Sequence, residues 1–320
     1  MMLYNLEMEL ERLELLASIA KMYFEDGLTQ DQISLRSGYS RSMVSRFLTE
    51  ARENKIIEIT INYPLERNEA LETALVNQYN LKVARVLARR TLNYNQMVRR
   101  LGILAARFLD ELVGPGMTIG VSWGMALNEM INSVSSKSYL DIHVVQLNGA
   151  VGTEPEFDSP WLVQKLARSY GGRYGILSAP LIVDSESTRD SLLKDKLIQG
   201  MLMSAEDMDI ALVGIGTLDG EFSSLTRSGY LSKEESKALE ESGAVGYICA
   251  HFYDLYGNLI NHPIAQRVIG VSLQTLRSAP IRLGVAGGHQ KILPLLGALR
   301  GGFLNVLVTD DVVASELIKQ

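Results

Sequence analysis

From Gly114 onwards the chain repeats one rhythm: a short apolar run, a glycine or polar turn, then a stretch long enough for a helix. The runs are MTIGVS, IHVVQLN, RYGILSA, DIALVGIG, IRLGVAG and LNVLVTD. Short runs that are almost wholly apolar suit strands buried on both faces, and the spacers suit crossover helices. The rhythm therefore predicts an α/β fold with a largely parallel sheet covered on both sides. In such a sheet ligands bind beyond the carboxyl ends of the strands, close to helix N-termini.

Several of these run ends carry glycine and polar residues. GVSWGMA passes from strand to helix, where Ser122, Gly124 and free amides can cradle an anion. QLNGAVG and VGIGTLDG follow two further runs, and VAGGHQK puts Lys291 just after paired glycines, a partner for a phosphate charge. GIGTLDG departs from G-x-G-x-x-G, and GGHQK lacks the G-x-x-x-x-G-K-[ST] spacing, so neither is a nucleotide fingerprint. One glycine loop alone reads as a sharp turn; several at the ends of one sheet read as a pocket.

Catalytic signals are weak. His143, His251, His262 and His289 show no metal-ligand spacing, and no G-x-S-x-G elbow occurs. Cys249 lies in the apolar stretch VGYICAHFY and reads as a packed strand residue. Asp254 and Lys291 are an acid and a base that an isomerase acting on a sugar phosphate would use, but the same pair also binds hydroxyls and phosphate. Binding is the simpler reading: no catalytic residue, metal or cofactor is expected, with the isomerase-like enzyme as the alternative.

The N-terminal sixty residues differ in character. Leu13, Leu16, Ala17, Ala20, Tyr23 and Phe24 recur at helical spacing up to Gly27. Thr-x-x-Gln at Thr29–Gln32 is a capping box opening a short helix that breaks at Gly38. Ser40 then caps a helix running towards Asn54, with Met43, Val44, Phe47, Leu48 and Ala51 on one stripe. Its other face carries Arg41, Ser42, Ser45, Arg46, Thr49 and Arg52. Two helices joined by a tight glycine turn, closed by a preceding helix, predict a helix-turn-helix whose second helix enters the major groove. Gln30, Ser40, Arg41, Ser42, Ser45 and Arg46 are the expected DNA contacts. The chain carries a net charge of −6, which argues against a general polyanion binder, yet Arg36 to Lys55 holds five basic residues against Glu50 and Glu53. A local cationic face suits a phosphate backbone. KIIEITINY alternates Ile57, Ile59 and Ile61 with polar residues, a half-buried strand able to close this domain as a wing.

After Pro64, helices are expected from about Arg67 to Tyr79 and over YNQMVRRLGILAARFLDEL, while Arg85, Arg89, Arg90, Arg99 and Arg100 read as a solvated surface. The expected division is a DNA-binding domain over 1–62 and an effector domain over 63–320. One cysteine among 320 residues leaves no intrachain disulfide to form. The acidic N-terminus lacks a secretory pattern, and no apolar run reaches the ~18 residues of a membrane span. A soluble cytoplasmic protein is expected.

The chain resembles the SorC family of sugar-binding transcriptional regulators, also called DeoR-type regulators. The resemblance rests on DGLTQDQISLRSGYSRSMVSRFLTEAR, GVSWGMAL, SAPLIVDS, DIALVGIGT, SGYLSKEE, GAVGYICAHFYDLYGN, RVIGVSLQTLR, VAGGHQK and GALRGGFLNVLVTDDVVASELI, in family order over most of the sequence. It implies an N-terminal helix-turn-helix, an effector domain related in fold to sugar-phosphate isomerases and deaminases, and dimers or tetramers acting on operator DNA. It also implies a sugar, polyol or sugar-phosphate effector held by Ser122, Trp123, Gly124, Gly149, Gly152, Asp254 and Lys291, with Lys291 on a phosphate and Asp254 on hydroxyls. The chain departs from the pattern at Tyr247, where aspartate often follows GAVG, at Ala250, where glycine often stands, and at Pro294, inside what is usually a continuous helix start.

Overall fold

A computed structural model describes residues 2–54, 56–57, 64–89, 91–137, 139–152 and 158–320, with side chains from residue 10 on. The backbone divides into two compact units, Met1–Pro64 and Leu65–Gln320.

The smaller unit contains α1 (Met2–Phe24), α2 (Gln30–Ser37) and α3 (Arg41–Glu53). Local chemistry fixes their ends. Thr29 Oγ1 accepts from the Gln32 amide (3.3 Å) while Gln32 Oε1 accepts from the Thr29 amide (2.8 Å), the reciprocal capping box read from the sequence. Gly38 ends α2 at φ 77°, and Ser40 Oγ caps α3 by accepting from the Met43 amide (3.3 Å). Leu16, Ile19, Ile33, Val44, Phe47, Leu48 and Ala51 meet in one core. Arg12 reinforces the α1–α3 contact: its guanidinium pairs with Glu50 (2.9 and 2.5 Å) and lies 4.6 Å over the Phe47 ring. The expected wing strand falls mostly on residues 58–63, outside the described residues.

The larger unit runs α4 (Glu69–Tyr79), β1 (Val83–Leu87), α5 (Tyr94–Leu112), β2 (Thr118–Val121), α6 (Met125–Asn132), β3 (His143–Gln146), α7 (Ser159–Tyr170) and β4 (Arg173–Gly175). It continues with α8 (Glu186–Leu193), α9 (Lys196–Met203), β5 (Ile210–Gly214), α10 (Ser224–Arg227), α11 (Lys233–Glu241), β6 (Gly246–Ile248) and β7 (His251–Tyr253). It closes with α12 (Leu273–Ser278), β8 (Ile281–Val285), α13 (Ile292–Arg300), β9 (Val306–Asp310) and α14 (Asp311–Ile318).

Among the described residues, seven strands form one sheet in the order β1-β9-β8-β5-β2-β3-β4, each pair parallel. Alternation along each strand explains why the runs are so apolar. Ile119, Val121, Ile210, Leu212, Leu283 and Val285 point into one core layer with residues of α5, α6 and α7. Val145, Ala211, Val213 and Leu307 point into the other, with residues of α4, α13 and α14. The chain moves from β2 through β3 to β4, then returns to place β5 on the other side of β2. The strand order therefore reverses between β2 and β5, the position at which open α/β sheets leave a crevice.

All six expected strands are present, though the RYGILSA run keeps its pairing only over Arg173–Gly175, at the sheet edge. Three features correct the sequence reading. VARVL is an edge strand, and its Arg85 is a half-buried group 3.8 Å from the Glu72 carboxylate and 4.9 Å over the Phe108 ring, not a solvated surface charge. Cys249 does pack, but in a turn: β6 and β7 pair as a hairpin, Ile248 opposite His251, and Cys249 and Ala250 connect them at φ 48° and 62°. The helix expected from Arg67 begins at Glu69, because Asn68 caps it by accepting from the Leu71 amide (3.2 Å). Pro294 sits in the first turn of α13, where no intrahelical donor is lost.

Candidate functional site

An open cavity of about 670 Å³, solvent at its mouth included, lies beyond the carboxyl ends of β2, β5 and β8. Its lining comes from the segments after those strands (Trp123–Ala126, Gly214–Gly216, Ala286–Gly287), from α5 (Tyr94), from the stretch around α10 (Phe222, Ser224, Arg227), from the hairpin (Tyr247, Cys249) and from Lys291.

One part of the lining is cationic. Lys291 ends a short 3₁₀ turn, His289–Lys291, and its Nζ donates to the Ile215 carbonyl (2.7 Å). Burial, and then the charge of Arg227, lower its pKa to about 7, with Asp219 opposing. The amine is therefore held where its charge is costly until an anion arrives. Gly124, at φ 135°, opens α6 without any side-chain cap, so the first amides of that helix remain available beside the cavity. Among the described residues the lining contains no carboxylate. Lys291, Arg227 and a bare helix N-terminus together make a place for an anion.

The other part is aromatic. Trp123 and Tyr247 stack with centroids 6.3 Å apart and planes 19° off parallel. Trp123 Nε1–H donates to Ser224 Oγ (3.2 Å), which shares a second hydrogen bond with the Tyr247 hydroxyl (2.8 Å). Gly216 makes room for this: a Cβ there would sit 2.0 Å from the Tyr247 ring. Tyr94 and Phe222 meet edge to face at 5.2 Å. Burial pushes the Cys249 thiol up to about 12, against a hydrogen bond from Ser122, so this cysteine is a packing group and not a nucleophile.

Residues 63–319 match the sugar-binding domain family, Sugar-bind. The Deoxyribonucleoside regulator of Bacillus subtilis (strain 168) is 32% identical over 312 residues, spanning 97% of this chain and 99% of that protein. Transcriptional regulator LsrR of Klebsiella pneumoniae subsp. pneumoniae is 33% identical over 308 residues, 95% of this chain and 93% of its own. The crystal structure of the full-length Sorbitol Operon Regulator SorC from Klebsiella pneumoniae aligns with a TM-score of 0.75 at 29% identity, over 95% of this chain and 98% of that one. The chain belongs to the SorC family of sugar-binding transcriptional regulators. These relatives are named as regulators, and the isomerase-like alternative is set aside on that ground.

The residues that SorC-family resemblance nominated do not all converge. Trp123, Gly124 and Lys291 line the cavity. Ser122 lies beneath it, 1% exposed, accepting from the Gly214 amide (3.2 Å) and so tying β2 to β5. Gly149 donates to the Ile269 carbonyl (2.9 Å) and lets the Pro180 backbone approach, while the Gly152 amide donates to Asp158 Oδ2 (2.8 Å). Both belong to the segment after β3, outside the cavity lining. Asp254 is also outside it: its carboxylate accepts from the Tyr256 and Asn258 amides (2.9 and 2.8 Å) and from Asn258 Nδ2 (3.0 Å), closing the turn after β7. Sequence reasoning missed Phe222, which precedes α10, and Ser224 and Arg227, which begin and end that four-residue helix, too short to show a periodic signal.

In the smaller unit, Arg41, Ser42, Ser45, Arg46 and Thr49 are exposed on one face of α3, and Gln30 is half-exposed at the start of α2. Ser40 Oγ is occupied as the α3 cap and also contacts Ser42 Oγ (3.0 Å). Arg41 lies 3.5 Å from Asp31, an exposed pair of little strength that a phosphate can displace. Among the described residues no helix is long and apolar enough to cross a membrane, and no group of three His, Cys, Asp or Glu converges as metal ligands do.

Proposed function

We propose that this SorC-family chain is a cytoplasmic DNA-binding regulator of a carbohydrate-catabolism operon, whose affinity for its operator is set by a phosphorylated sugar or polyol in the cavity. The observation that carries the reading is the charge inventory there: Lys291, Arg227 and the uncapped start of α6 converge, and among the described residues no carboxylate lines the space. A free sugar needs acceptors for its hydroxyls; this lining favours an anion. The larger unit is taken as the effector domain, related in fold to sugar-phosphate isomerases and deaminases. The smaller is taken as a helix-turn-helix that presents Gln30, Arg41, Ser42, Ser45 and Arg46 to DNA, with Ser40 held as the cap. A palindromic operator requires at least a dimer, and a tetramer satisfies the same geometry.

Thermal unfolding of the full chain against sugars, polyols and their phosphates tests the effector assignment. A ligand at ~100-fold excess over its Kd contributes roughly 2.7 kcal/mol, a clear rise in midpoint. Phosphorylated compounds are expected to raise it, and Lys291→Ala is expected to abolish the response. A response confined to unphosphorylated sugars contradicts the assignment.

A further inference from the structure

One helix of the larger unit turns an apolar row to solvent. α9 is anchored by Ile198, buried with Leu177, Ala179, Val183 and Ile269, and by Met201 and Leu202 packed against the same group. Residues three apart on a helix are neighbours, and the outward row is Leu197, Gly200 and Met203. Leu197 is 84% exposed and Met203 63%. The glycine between them serves nothing inside the chain. It is ordinary helix, a Cβ there would meet nothing within 4 Å, and alanine would make a more stable helix. What glycine does allow is the close approach of another backbone.

Charge gives the row a direction. Lys194 and Lys196 stand at the start of α9 and Glu206 and Asp207 just beyond its end, all four exposed. Asp195 lies between the lysines, but its carboxylate caps the helix by accepting from the Leu197 and Ile198 amides (2.9 and 3.3 Å). Among the described residues none of the four outer charges has a salt-bridge partner. Leu197 and Met203 are equally far from Gly200 along the chain, and so are Lys194 and Glu206. A row with opposite charges at equal distances from its centre is complementary to itself when turned end to end.

We infer that α9 docks on α9 of a second copy of this chain, antiparallel about a two-fold axis at Gly200. Leu197 of each copy then packs on the partner's Met203, and Lys194 and Lys196 face the partner's Glu206 and Asp207. A parallel arrangement would set lysine against lysine and is disfavoured. The regulator proposed above needs at least two copies, by whichever face joins them; the α9 row supplies a face, and the cavity takes no part in it.

Sedimentation equilibrium on the full chain tests this with two charge variants, Lys194→Glu with Lys196→Glu, and Glu206→Lys with Asp207→Lys. Each alone sets like charge against like, and is expected to halve the mass of the wild-type assembly or to weaken its association at least ~10-fold. Mixed in equal amounts, the two variants face each other with opposite charges at both ends of the contact. The mixture is expected to recover the wild-type mass, which misfolded chains could not do. Gly200→Gln, a better helix residue, is expected to lower the mass in the same way while circular dichroism shows the helix content kept. Wild-type mass in any of the three variants, or no recovery on mixing, overturns the α9 contact and leaves the regulator reading standing. A wild-type chain that stays monomeric with DNA bound overturns both.

Discussion

Lys291 couples the cavity to pH. Its pKa is lowered to about 7 in the folded chain, by burial and then by Arg227, whereas an unfolded lysine titrates at ~10.4. Between those values the unfolded chain holds a proton that the folded chain has released, so stability rises with pH across that window. Below it both states are protonated, and the folded chain bears the full cost of the buried charge. Lys291→Met is therefore expected to flatten the slope of urea stability between about pH 7 and pH 10 and to stabilise the ligand-free chain at neutral pH, while losing the phosphate response. A phosphate favours the charged amine, so binding above pH 7 takes up a proton, detectable by calorimetry in buffers of different ionisation enthalpy. Buffer-independent heats at about pH 8 count against this role. Glu72 is the structural counterpart. It is 6% exposed, accepts from Arg67 (2.8 and 2.5 Å) and from the Val86 amide (2.9 Å), and so fastens α4 to the edge strand β1. Glu72→Ala leaves those donors unpaired and is expected to cost about 3–5 kcal/mol by urea denaturation, with no change in which ligands bind.

Elements differed in how openly the sequence announced them, and the difference is physical. Strands buried on both faces read as apolar runs, so β2, β3, β5, β8 and β9 were visible, and capping boxes marked α2 as plainly. β1 hid because Arg85 sits inside it, its charge answered by Glu72 and by the Phe108 ring. The hairpin hid because its two-residue turn carries neither glycine nor asparagine: Cys249 and Ala250 both hold positive φ. That conformation disfavours residues with a Cβ by ~1–2 kcal/mol each. Ala250→Gly is therefore expected to stabilise the chain by about 1 kcal/mol in denaturant titration, and a loss of stability contradicts the turn as described. Gly124 and Lys291 were legible as cavity residues because they stand in the glycine-containing segments after strands, while Trp123 was nominated by the family resemblance alone. Ser122 follows the same strand but its side chain turns inward to Gly214, and Asp254 spends its carboxylate on its own turn. Arg227 and Ser224 lacked any pattern that spacing can reveal.

On the scale of the whole molecule, a net charge of −6 and a cationic stretch from Arg36 to Lys55 have to be reconciled. An acidic chain repels DNA except where a local surface is positive, so under the proposed function contact is expected at the exposed face of α3 and is expected to be steeply salt-dependent. Arg41→Ala and Arg46→Ala are each expected to weaken DNA binding by about 1–3 kcal/mol if they contact guanine, and unchanged affinity removes them from the interface. Ligand control of that binding needs different affinity for two arrangements of the molecule, and coupling of ~1–3 kcal/mol is the usual size. The measurement that tests this most directly is affinity for a DNA fragment selected in vitro by the full chain, taken with and without saturating cavity ligand. The account predicts a change of roughly 5–150-fold that vanishes in Lys291→Ala. Equal affinities, with ligand binding shown independently on the same sample, would contradict it.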